Sequence, residues 1–70
     1  MITLDEIRKQ LQEAIKYSGK SQTQLAKELN IKQQTVQQYV SGKVMPALDT
    51  FANLCKILGL DANEILCLSK

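Results

Sequence analysis

Seventy residues suffice for one small domain and leave no room for a second. An apolar share of 44% belongs to a folded chain rather than a disordered one, and with three glycines, one proline and no alternating β-branched residues an all-α domain is expected. Nine basic against seven acidic side chains give +2, too little by itself to argue for nucleic acid, while two cysteines and no histidine leave no closed zinc site and no cofactor pocket in view.

A domain near this size buries only about 60% of its unfolded surface, so helix ends and close packing must contribute to stability. The first helix is expected from Leu4 to about Tyr17. Thr3 and Glu6 have capping-box spacing, in which each side chain bonds the other's backbone N–H. Leu4, Ile7, Leu11, Ala14 and Ile15 form its apolar stripe, Arg8, Lys9, Glu13 and Lys16 its wet face, and Gly19 follows its end. The second helix is expected from Gln22 to Leu29, with Ser21 and Gln24 repeating the capping-box spacing. Asn30 suits the left-handed turn that must follow, and Ile31 returns to the core. The third runs from Gln33 to about Val40, and its cap position holds Lys32, which offers no acceptor to the first amides.

Ser41-Gly42-Lys43 reads as a loop and Val44 as turning inward. Met45 is extended because it precedes Pro46. The fourth helix is expected from Leu48 to Leu58, with Leu48, Phe51, Leu54, Cys55 and Leu58 inward and Gly59 as its stop. Asp61 and Glu64 open a short fifth helix carrying Ile65 and Leu66. Leu66, Cys67 and Leu68 either close the core or make a subunit contact. Reduced thiols in or near the core are expected for Cys55 and Cys67. No stretch is apolar enough for a membrane span and no signal-peptide pattern opens the chain, so a cytoplasmic protein is expected.

The charge is unevenly spread. Between Lys20 and Lys43 stand four lysines (Lys20, Lys27, Lys32, Lys43) and one acid (Glu28), a balance of +3. The rest holds five bases and six acids, a balance of −1. The same segment carries an amide face. At about 100° per residue, Gln33, Gln34, Gln37 and Gln38 fall on one arc of the third helix, opposite Val36, Tyr39 and Val40. A primary amide has an acceptor and two donors, and so can pair in bidentate fashion with adenine N6 and N7 in a major groove. Taken alone, such a face is more often a plain solvated surface. Its place on the second of two short helices joined by a tight turn favours base reading.

In order along the chain, Gln22, Leu25, Ala26, Leu29, Asn30, Ile31, Val36 and Tyr39 stand where the Cro/repressor (XRE-type) helix-turn-helix family carries its pattern. Asn30 replaces the usual glycine. The resemblance covers nearly the whole sequence, and the QQTVQQ run followed by SGK is similar to lambdoid phage repressors. It implies a five-helix, lambda-repressor-like domain spanning 1–70, with the motif at about 22–40. It implies base contacts from Gln33, Gln34 and Gln38, and backbone contacts from Gln22, Lys32, Thr35, Gln37 and Lys43, the last together with the amides of its loop. Two departures stand out. Relatives often pair an Arg late in the first helix with a Glu ending the third, where this chain has Ile15 and Val40, and they often place a capping Ser or Thr where it has Lys32. No basic arm precedes the first helix, so no added minor-groove contact is expected.

The resulting expectation is a sequence-specific regulator of double-stranded DNA, a repressor acting as a homodimer on a pseudo-palindrome. The alternative is an antitoxin or other protein-interaction module using the same fold. An enzyme fails on inventory, there being no histidine, no paired-carboxylate constellation and no glycine-rich phosphate loop.

Overall fold

The start and stop signals in the sequence place five helices among residues 1–68, which the computed structural model describes. They are α1 (Leu4–Tyr17), α2 (Gln22–Leu29), α3 (Gln33–Ser41), α4 (Leu48–Leu58) and α5 (Ala62–Ile65). Two ends differ from expectation: α3 runs on to Ser41 rather than stopping at Val40, and α5 stops at Ile65, leaving Leu66 as its C-cap. Ser69 and Lys70, the end of the expected domain, lie outside the described residues.

Thr3 Oγ1 accepts from the Glu6 amide at 3.2 Å, and Ser21 Oγ accepts from the Gln24 amide at 3.1 Å. At α5 the Asp61 carboxylate takes the Asn63 amide instead, at 2.9 Å. These acceptors satisfy amides that a helix start leaves without a partner. Lys32 makes no such bond, as its side-chain chemistry requires. Asn30 ends α2 in the left-handed region at φ 56°, ψ 45°.

The core is drawn from every helix. It comprises Leu11 and Ile15 of α1, Leu25 and Ala26 of α2, Val36 and Tyr39 of α3, Phe51, Leu54 and Cys55 of α4, and Ile65 of α5. Leu11, Leu25, Val36 and Leu54 are fully buried, each contributing about 1.5–3 kcal/mol relative to exposure. Ile31 and Val40 pack against this cluster half-buried. Cys67 is buried and Leu66 half-buried, closing the core, whereas Leu68 is exposed.

Three apolar residues expected inside lie outside. Leu4 and Leu48 are 65% and 86% exposed. Each is the first residue of its helix. Each has the right phase, but at the first residue of a helix phase alone does not supply a neighbour to cover it. Val44 is 41% exposed, in a loop whose backbone is tied to the end of α3 through its amide on Gln38 O at 3.4 Å. Conversely Arg8, expected to face water, is half-buried, with its stem against the loop that follows α3.

Candidate nucleic-acid interface

Helix α3 is held by α2 and α1. Through the turn, the Ile31 amide reaches Ala26 O at 3.0 Å and the Asn30 amide reaches Lys27 O at 3.2 Å. This αL turn swings α3 across α2 and directs Val36 and Tyr39 into the core. The opposite face then has to point away from the protein. Gln33, Gln34 and Gln37 are exposed on it. Gln38 and Thr35 are half-buried, with less of each side chain available to a ligand.

The two ends of α3 differ. At the start, the Thr35 and Val36 amides bond Lys32 O at 3.0 and 3.3 Å, while no side chain caps the helix. At the finish, Gly42 adopts φ 80°, and the Gly42 and Lys43 amides bond Tyr39 O and Gln38 O at 3.2 and 3.0 Å. With Val44 sharing Gln38 O, the loop amides are committed to the helix. They are not offered to an anion, contrary to the sequence expectation for this loop. The Lys43 side chain itself is exposed. Val40 O is taken by a different helix, since Gln12 Nε2 of α1 donates to it at 2.8 Å.

Charge is arranged around this face. Lys20 is bound to both carboxylate oxygens of Glu28 at 2.9 Å, so that pair is internally neutral. The +3 of the 20–43 segment is therefore carried by Lys27, Lys32 and Lys43, all exposed. Gln22 opens α2 half-buried, at the edge of an open cleft of about 450 Å³ that Ile15 and Val40 also border. Lys9 and Lys16 line the same cleft. Sequence reasoning assigned both only to a wet face, although their seven-residue spacing already put them on one side of α1. Gln22 thus opens a helix beside a cleft lined by Lys9 and Lys16, with Glu13 the one acid in the lining, a net positive setting that favours an anion.

Two core groups titrate abnormally. Burial, and secondarily the charge of Asp49, pushes the Tyr39 phenol above its ordinary value. Burial, with Asp61 second, does the same to the Cys55 thiol. Both effects keep the neutral form at physiological pH, and both cysteines are free and buried. Among the described residues no helix is long and apolar enough to cross a membrane.

Two short helices joined by a tight left-handed turn, the second presenting polar side chains from a packed helical body, define a helix-turn-helix module. A helix-turn-helix family model matches residues 4–65. The chain belongs to that family, the Cro/repressor (XRE-type) class of DNA-binding regulators. No curated protein matches the chain, and no solved structure does.

Proposed function

We propose that residues 1–70 form one cytoplasmic DNA-binding domain. It acts as a sequence-specific transcriptional repressor that inserts α3 into the major groove as a homodimer on a pseudo-palindromic operator. The observation that carries this reading is the exposed amide row of Gln33, Gln34 and Gln37, on a helix whose other face is locked into the core.

Gln33 and Gln34, at the leading end of α3, read base edges, with adenine as the partner best matched to a primary amide. Gln38 reaches a base with its exposed half. Gln37, Thr35 and Gln22 contact the sugar-phosphate backbone, and Lys32 and Lys43 add ammonium groups on either side of the groove. One such module buries about 600–1,000 Å² of protein surface, too little for tight binding alone. Two coupled copies on half-sites about 34 Å apart combine their binding free energies.

Selection of binding sites from a random duplex library tests this. The expected result is an enriched inverted repeat with adenine-bearing half-sites. Salt-sensitive retention without enrichment rejects base reading and turns attention to a protein partner, the antitoxin-like reading.

A further inference from the structure

We propose that Gln12 of α1 is a positioning residue for the recognition helix, setting the angle at which α3 meets DNA without touching DNA itself. The inference rests on the reading of α3 as the DNA-reading element.

The two ends of helix α3 are held differently. Its start has no side-chain cap, although Val36 is fully buried one turn in. Its finish is closed by the amides of Gly42, Lys43 and Val44 and by the Gln12 carboxamide on Val40 O at 2.8 Å. The amide bonds are local and close the helix on itself. Among the hydrogen bonds of the described residues, the Gln12 bond alone ties the helix end to another helix, across 28 positions of sequence. The contact is tight. A Cβ on Gly42 would lie 2.9 Å from Arg8 Cδ and 3.1 Å from Gln12 Nε2, so α1 packs directly against the turn that ends α3. Arg8 is itself held by Asp5, Nη1 to Oδ1 at 2.7 Å.

The lever is long enough to matter. From Val40 back to Gln33 the helix rises about 10 Å, so a tilt of about 10° about the fixed end moves Gln33 by nearly 2 Å. Bidentate base pairing tolerates roughly 0.5 Å and 10–20°. Phosphate contacts from flexible lysines tolerate far more. Loosening the Gln12 bond therefore weakens discrimination between duplexes before it weakens attraction to DNA.

The test compares affinity for the selected operator with affinity for a random duplex at one salt concentration. Wild type, Gln12→Met (similar shape, no donor) and Gln12→Glu are measured, with thermal melting alongside. Losing one part-buried hydrogen bond is expected to cut the operator-to-random ratio about five- to tenfold in Gln12→Met, leaving random-duplex affinity and its salt slope nearly unchanged. Gln12→Glu loses the ratio at neutral pH, where its carboxylate faces the Val40 carbonyl. It recovers the ratio, measured against wild type at each pH, once acid protonates it and restores a donor. That recovery is something a purely structural loss does not produce, and it carries the test should Gln12→Met fail to fold. A lowered melting temperature with an unchanged ratio in both variants overturns the inference. A wild-type protein that prefers no duplex overturns the reading of α3 instead.

Discussion

A glutamine on an exposed helix face gains little from water that it could not gain elsewhere, but opposite an adenine both its donor and its acceptor are used at once. The loss from Gln33→Ala or Gln34→Ala is accordingly expected to depend on sequence, at about 1–3 kcal/mol on the preferred duplex and little on random DNA. Fluorescence anisotropy on both duplexes measures it, and equal losses on the two reject direct reading. Lys43 acts differently, because its loop amides are bound to α3 and only its ammonium group remains to act. Lys43→Ala should weaken every duplex alike and reduce the slope of log K against log salt by about one. An unaltered slope removes it from the phosphate set. Tyr39 carries a third effect. Its folded phenol titrates above the ordinary 10.0, through burial first and Asp49 second. The neutral form is therefore favoured by folding. Its contribution is complete below the ordinary value and is lost as pH rises through the raised one. Wild-type melting temperature should fall more steeply than that of Tyr39→Phe above that ordinary value, and parallel curves reject the linkage.

At the scale of helices, the start of α3 is a weak point, lacking a side-chain cap as the start of α4 also does. Lys32 offers its amides no acceptor, and a serine there supplies one worth about 0.5–2 kcal/mol. Lys32→Ser should raise the urea midpoint while lowering affinity for all duplexes, since it also removes a charge beside the groove. A lowered midpoint would show that the helix start is already satisfied another way. The boundaries of these helices were legible in sequence because capping residues and left-handed residues are local signals, and Ser21, Asn30, Gly42 and Gly59 act within a turn of themselves. The family was legible for the same reason, its pattern being a run of apolar positions around one turn. What stayed hidden depends on distance along a helix axis or on the approach of remote segments. Periodicity put Leu4 and Leu48 on the inner side but could not say that nothing covers them there. The bond from Gln12 to Val40 and the ion pair from Lys20 to Glu28 link separate segments, and no local pattern announces either. Nor did spacing reveal that the Gly42, Lys43 and Val44 amides would be spent on the helix end.

For the molecule as a whole, the question is how so small a surface distinguishes one site among many. A lone module gives modest affinity, and a second copy on an adjacent half-site multiplies it only if the two are coupled. Coupling needs apolar surface that the monomer does not bury. Leu48, at 86% exposure, offers such a surface, with Val44 exposed on the other side of the Met45–Ala47 segment. Leu48 is the first residue of α4, where an acidic side chain complements the helix dipole by about 0.3–1 kcal/mol. Leu48→Asp should therefore leave the monomer's melting temperature unchanged or slightly raised while placing a charge in any contact between copies. Its affinity for a duplex carrying a single half-site should equal that of wild type. On the full inverted repeat the cooperative curve expected of the proposed dimer should flatten toward that of two independent sites. Equal cooperativity in wild type and Leu48→Asp would move the subunit contact away from the start of α4, and exposed Leu68, beside the core-closing Cys67, would be the next residue to charge.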